Sequence, residues 1–114
     1  MGEDGRKPMY VRMTFIKTKP GRMEALRSLY NEQVIPTMHK QKGVRFIHLL
    51  ECLENRDEGI SITAWDTKAD LDAYEKSGVY EGLIEKFKDF YSTPPVLKSY
   101  EVTSSSDPII LRIF

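Results

Sequence analysis

The segment that most limits the possible fold runs over residues 59–80, with the sequence GISITAWDTKADLDAYEKSGVY. Its apolar, β-branched beginning is typical of a buried strand. Thr67 then predicts the start of a helix, because its hydroxyl can accept the amide proton of Asp70 in a weaker version of the capping box. A Ser-Gly pair at 77–78 interrupts the amphipathic helix that follows. The segment therefore predicts a strand that ends in Trp65 and leads almost at once into a short helix.

The rest of the chain continues this alternation of strand and helix patterns. Residues 10–18 alternate between two faces, and residues 22–40 carry apolar side chains at helical spacing. Pro36 is expected to kink that helix or to end it near residues 34–35. The predicted order is strand, helix, strand, strand, helix, strand, over residues 10–18, 22–40, 44–54, 60–65, 67–93 and 96–102. This is the ferredoxin-like βαββαβ arrangement, an α+β fold with one antiparallel sheet and two helices on one face.

The 114 residues are enough for one domain. We expect that domain to span residues 10–103, with a frayed N-terminal tail at 1–9 and a C-terminal extension at 104–114. The division rests on the polar MGEDGRKPM sequence before the first strand and the Ser-Ser-Ser-Asp-Pro linker after the last.

The amino-acid composition limits the classes of partner that the protein can bind. Seventeen basic and seventeen acidic residues cancel, which argues against a nucleic-acid surface. The single cysteine, Cys52, rules out an intrachain disulfide and indicates a reducing compartment. No apolar run approaches the ~20 residues of a membrane span, and residues 1–9 lack the apolar core of a signal peptide. We therefore expect a cytoplasmic protein that binds neither nucleic acid nor membrane.

One face of the predicted sheet is too apolar to remain in water. In the first strand this face carries Val11, Met13 and Phe15. A second copy packed sheet to sheet would cover it, so the sequence predicts a homodimer. Two further readings stay open for the C-terminal IILRIF sequence: it folds back over this surface, or it pairs with an edge strand of the partner subunit.

The chain resembles the antibiotic-biosynthesis-monooxygenase-type domains of the dimeric α/β-barrel superfamily. The resemblance covers residues 10–102 and is carried by Pro20-Gly21, Gly43, Trp65, Leu71, Tyr74, Ser77, Tyr80, Pro94 and the SYEV strand. It implies dimerisation through the free sheet face and a cavity between sheet and helices for an apolar, planar ligand. Family members include cofactor-independent oxygenases of quinol-like aromatic substrates, haem-degrading monooxygenases and proteins of unknown role.

The haem-degrading branch is disfavoured by three positions. The resemblance implies an asparagine, a tryptophan and an iron-ligating histidine where this chain has Thr14, Tyr74 and Ile84. Isoleucine cannot bind a metal, and the two histidines, His39 and His48, lie elsewhere. Haem breakdown by the family mechanism is therefore not expected, although this leaves haem binding through another ligand open. We expect no metal site and no bound cofactor.

Several side chains are candidates for a site in the cavity. Tyr74, His48 and Arg12 are the catalytic candidates, because a cofactor-free oxygenase must orient its substrate and stabilise an oxyanion. His48 has an ordinary pKa near physiological pH. The residues expected to line the cavity are Thr14, Trp65, Tyr74, Tyr80, Ile84 and Phe87. Each of these residues could instead have a purely structural role, packing in the core or at the rim of a strand or helix.

Two functions from different classes remain. The first is a monooxygenase that acts on an aromatic or quinone-like metabolite without a cofactor. The second is a non-catalytic dimeric domain that binds a small apolar ligand or another protein. An inward His48 or Arg12 beside Tyr74 would favour chemistry, whereas a cavity filled by residues 83–87 would favour a structural role.

Overall fold

The computed structural model describes residues 9–106. The expected N-terminal tail, apart from Met9, lies outside this range. So do residues 107–114 of the expected extension, including the IILRIF sequence whose two placements were left open.

Four strands form one antiparallel sheet: β1 (Met9–Lys17), β2 (Val44–Glu51), β3 (Glu58–Trp65) and β4 (Val96–Val102). Their spatial order is β2-β3-β1-β4, so the two strands that are first and last in the chain lie side by side. The predicted ferredoxin-like α+β fold is confirmed.

The first helical segment is irregular where Pro36 was expected to disturb it. It consists of α1 (Met23–Leu29), a π-helical turn (Tyr30–Val34) and α2 (Ile35–His39). The Ile35 amide donates to the Tyr30 carbonyl, five residues back, which widens the turn. The helix therefore does not end at residues 34–35, because Pro36 sits at the start of the following α-helical turn, where its missing amide is tolerated.

The second helical segment begins and breaks as the sequence predicts. It comprises α3 (Lys68–Lys76), α4 (Val79–Phe87) and a 3₁₀ turn (Lys88–Phe90). The Thr67 hydroxyl accepts the Asp70 amide at 3.0 Å. Gly78 separates α3 from α4 with φ of 84°, a left-handed conformation that favours glycine. Across residues 9–106, no helix is both long and apolar enough to cross a membrane.

The two faces of the sheet have different environments. The helix-covered face holds the main core, in which Leu26, Met38 and Trp65 are fully buried. The opposite face carries a second apolar cluster, made of Met9, Val11, Met13, Phe46, Ile62, Ala64 and Val102. Strand alternation explains the separation, because successive side chains of β1 point to opposite sides of the sheet.

Candidate functional site

A pocket lies between the sheet and the helices, and its floor is formed by β1 and β3. Arg12 and Thr14 of β1 line it, together with Thr63 and Ser61 of β3. The register pairs Arg12 with Thr63 and Thr14 with Ser61, so all four side chains fall on the helix-covered face. The two strands thereby supply a short patch of polar groups in an otherwise apolar core.

The pocket wall opposite the sheet is almost entirely apolar or aromatic. The second helical segment contributes Tyr74, Tyr80, Leu83, Ile84 and Phe87. The volume open to the centres of water molecules is about 50 Å³. Since one water needs roughly 10–15 Å³ on this measure, the pocket has room for a few waters. A cavity that binds benzene measures about 150 Å³, so even a single aromatic ring needs the wall to shift, and a polycyclic ligand needs a larger shift.

Arg12 is the charged group of this pocket. Its residue is 5% exposed, and Nη1 forms an ion pair with a carboxylate oxygen of Glu75. The buried Nε and Nη1 nevertheless make no aligned hydrogen bond to any residue that the structure describes. The guanidinium carbon lies 5.0 Å from the ring centre of Tyr80 and 5.9 Å from that of Tyr74. Burial lowers the pKa of Arg12, but a guanidinium remains protonated at neutral pH.

The two tyrosines beside Arg12 are neutral hydrogen-bonding groups. Burial raises the pKa of Tyr74 strongly, and it also raises the pKa of Tyr80. Tyr80 and Thr14 both line the pocket, whereas Tyr74 packs against Trp65 with ring centres 5.0 Å apart. At physiological pH both phenols therefore carry their protons and act as donors, not as bases.

Three further hydrogen bonds organise the floor. The Tyr30 hydroxyl donates to the His48 carbonyl oxygen at 3.2 Å and lies 2.7 Å from the Ser61 hydroxyl. The Trp65 indole donates to the Thr63 hydroxyl at 2.9 Å. Burial raises the pKa of Tyr30 to about 12, so this group also stays neutral.

Most of the sequence candidates lie on the pocket wall. The structure brings together Arg12, Thr14, Tyr74, Tyr80, Ile84 and Phe87. Trp65 differs: it is fully buried and does not line the pocket. Its register partner is Tyr10, one step beyond the Arg12–Thr63 pair on the same face, so it supports Tyr74 from behind.

His48 lies on the other side of the sheet and must be removed from the candidates. Ile47 faces the helices and is buried, so strand alternation turns His48 to the opposite face. There it is exposed and stacks on Phe46 with ring centres 4.7 Å apart. The His48 ring therefore cannot hold charge or accept a proton in the pocket.

Sequence reasoning missed several polar side chains in or beside the pocket, among them Tyr30, Ser61, Thr63 and Glu75. Ser61 and Thr63 could have been predicted from the alternating pattern that ends in Trp65, because residues 61, 63 and 65 of one strand must share one face. Glu75 follows Tyr74 on an amphipathic helix, and no pattern in the sequence links it to Arg12.

The position at which the resemblance implies an iron-ligating histidine cannot supply a ligand. Ile84, at the position implied for an iron ligand, lies on the wall and has no donor atom. No group of three or more His, Cys, Asp or Glu side chains within residues 9–106 is arranged to hold a metal ion.

Comparisons with known proteins place the chain in a family. The family model described as antibiotic biosynthesis monooxygenase matches residues 9–91. No curated protein sequence matches the chain. A protein from Nitrosomonas europaea that is provisionally named as an antibiotic biosynthesis monooxygenase is similar in structure. It has 17% identity and a TM-score of 0.71 over 83% of this chain and 90% of that one.

Two further solved structures share the fold at comparable distance. A protein of unknown function from Nitrosomonas europaea has 17% identity and a TM-score of 0.73, over 91% of this chain and 98% of its own. A conserved protein from Methanosarcina mazei has 15% identity and a TM-score of 0.70, over 81% and 90%. At these identities the structures establish the fold alone. The match of the family model to residues 9–91 shows that the chain belongs to the antibiotic biosynthesis monooxygenase family.

Proposed function

We propose that the protein is a cofactor-independent monooxygenase that acts on an aromatic or quinone-like metabolite bound in this pocket. One observation carries the proposal: a buried guanidinium, Arg12, lies beside a buried neutral phenol, Tyr74, in an apolar space. Preorganised donors in a water-poor site are what an enzyme needs where a substrate develops negative charge on oxygen. The family name supports the same reaction class.

The proposed reaction takes its electrons from the substrate. A quinol-like substrate with a single aromatic ring loses a proton to water and becomes an enolate. Its carbon then forms a C–O bond with dioxygen. The C–H bond at that carbon breaks together with the peroxide O–O bond as the new carbonyl forms. One oxygen atom stays in the product, and the other takes up this proton and the first one and leaves as water. Arg12 and Tyr74 stabilise the enolate oxygen, and the apolar wall limits access of water.

The second candidate function is binding without chemistry. The observation that favours it is the small volume, about 50 Å³, of a pocket lined by Leu83, Ile84 and Phe87. A domain of this kind would hold a small apolar ligand or act as an interaction module.

We test the reaction by measuring oxygen uptake with a series of single-ring quinols, naphthoquinols and anthrones. The wild-type protein is expected to consume oxygen with at least one class. Tyr74→Phe is expected to slow this by about tenfold or more, because one oxyanion donor is lost. Tyr100→Phe, on the opposite sheet face and half-exposed, is the matched control and should keep full activity. Binding without oxygen uptake across the whole series would favour the second candidate.

We further propose that the protein is a cytoplasmic homodimer that associates through the sheet face opposite the helices. Three large apolar side chains on that face, Leu50, Val96 and Tyr100, are 44–53% exposed. Light scattering at micromolar concentration should give a mass of two chains, and Val96→Lys should shift it towards one chain. Leu53→Lys, in the exposed turn after β2, is the control that should leave the mass unchanged. A wild-type mass of one chain would refute the dimer.

A further inference from the structure

The interior of the pocket carries a positive charge that no negative charge inside the pocket balances. Among the described residues that line it, Arg12 is the only charged group, and its side chain is 6% exposed. The partner carboxylate belongs to Glu75 on α3, which does not line the pocket and whose side chain is 39% exposed. Glu81 of α4, an exposed residue, also attracts the guanidinium, but at longer range.

Part of the hydrogen-bonding capacity of Arg12 is also unused, although Nη1 contacts the Glu75 carboxylate. The buried Nε and Nη1 make no aligned hydrogen bond within residues 9–106. A planar guanidinium presents its donors in a fixed fork that matches two oxygen atoms of an anion. Buried donors of a charged group are seldom left without an acceptor, so this arrangement points to an acceptor that comes from outside the chain.

We propose that the pocket selects a small aromatic monoanion, whose anionic oxygen replaces the Glu75 carboxylate as the partner of Arg12. The proposal rests on this pocket being the ligand site, as proposed above, but it requires no reaction with oxygen. The chemistry recognised is an oxygen anion on a single aromatic ring, either a carboxylate or a phenolate.

Glu75 is suited to being displaced, whereas Arg12 is not. A partly exposed carboxylate can return to water at little cost, because ion pairs near the surface are weak. Arg12 is anchored between the sheet and two tyrosine rings and has no route to solvent of that kind. The ligand and Glu75 therefore compete for one buried cation, and a ligand with a second charge would bring an unpaired anion into an apolar space.

The anion must also form before it binds. Burial keeps the phenols of Tyr74, Tyr80 and Tyr30 protonated at neutral pH, and His48 lies on the other face of the sheet. The described side chains of the wall thus provide no base that works near neutral pH. A ligand that is already ionised in water, its proton lost to solvent, is the form that Arg12 can hold.

The test compares charged and neutral ligands of the same shape. Benzoate and benzamide are titrated against the wild-type protein, with the fluorescence of the single tryptophan, Trp65, as the readout. Its ring centre lies 5.0 Å from that of Tyr74 on the pocket wall, so a ligand there should change the signal. Benzoate is expected to bind at least about tenfold more tightly than benzamide, as for a charge-assisted hydrogen bond. A second pair, 4-nitrophenolate above its own pKa and neutral 4-nitroanisole, distinguishes a phenolate ligand from a carboxylate one.

Two variants then separate the roles of the competing groups. Glu75→Gln should tighten benzoate by about threefold to tenfold, because the internal competitor is removed. Glu81→Gln, with no direct contact to Arg12, should change it less than about twofold. Arg12→Met should abolish the preference for benzoate over benzamide, with circular dichroism to check that the variant is folded.

Equal binding of charged and neutral probes by the wild-type protein would overturn the proposal. So would weaker benzoate binding in Glu75→Gln, a variant at a partly exposed position that is expected to fold. Oxygen consumption is not part of these measurements, so failure of the monooxygenase proposal leaves this result standing and the reverse is also true.

Discussion

Replacing Arg12 by methionine should make the protein more stable and should abolish the proposed binding of an anion. Methionine keeps an unbranched apolar stem and deletes the charge. The change relieves the desolvation of a guanidinium that is 5% exposed, a cost of several kcal/mol in real proteins. It gives up an ion pair with the partly exposed Glu75, worth at most about 1 kcal/mol, and two cation–π contacts of about 0.5–1 kcal/mol each.

The net expectation is a gain of about 1–2 kcal/mol in the free energy of unfolding, in line with other buried ion pairs replaced by apolar side chains. For a domain of this size that corresponds to a rise of roughly 4–16 °C in Tm. Urea and thermal unfolding followed by circular dichroism measure both quantities.

Arg45→Met is the matched control. Arg45 is also largely buried, but its Nε hydrogen-bonds Asp66 and its Nη1 contacts the Met9 sulfur. Its donors are used, so its loss should cost about 1–2 kcal/mol. An equal loss of stability in both variants would refute the reasoning, because Arg12 would then be a structural residue with satisfied bonds and not a cation held ready for a ligand.

Two further predictions concern positions away from the pocket. Gly43→Ala should cost about 2–4 kcal/mol, whereas Gly78→Ala should cost about 1–2 kcal/mol. Both residues have positive φ. A Cβ at Gly43 would lie 2.7 Å from the Cβ of Asp70, whereas one at Gly78 would meet nothing within 4 Å. Equal losses of stability in urea unfolding would contradict this prediction. The hydrogen bonds from Arg27, 2.6 and 3.0 Å long, lower the pKa of Glu51 from its ordinary value of 4.5. The pair therefore stabilises the fold above that pH and is lost as pH falls through the lowered value, so Glu51→Gln should reduce stability at pH 7 and flatten the acid part of the stability curve.

The sequence predicted the fold well because its local signals and its long-range pattern agree. The Thr67 cap and the Gly78 break appear where predicted, and alternation along β1 correctly assigned Arg12 and Val11 to opposite faces. A helix cap or break depends on neighbouring residues, and the faces of a strand depend on the alternation of its side chains. Both can be recognised within one segment of the sequence. The π-helical turn before Pro36 was not predictable. A proline in the sequence shows that one backbone amide donor is missing, but it does not show how the backbone adjusts to that loss.

The site was predicted only in part, for a different physical reason. His48 was a catalytic candidate on its chemistry, on the condition that it points inward, but its neighbour Ile47 takes the inward position and so turns His48 outward. The Arg12–Glu75 ion pair joins residues 63 positions apart on a strand and a helix. Such a contact depends on how the helix lies across the sheet, which no local pattern encodes.

The hydrogen bonds of the pocket floor also make its two ends chemically different. Thr63 accepts the Trp65 indole proton, so its own hydroxyl proton is left to donate beside Arg12. The Tyr30 hydroxyl gives its single proton to the His48 carbonyl, so Ser61 donates to Tyr30 and offers lone pairs to the pocket. Donors thus gather at one end of the floor and an acceptor lies one residue pair further along the strands. A ring with an anionic oxygen at one side and a hydroxyl at the other would enter in one orientation.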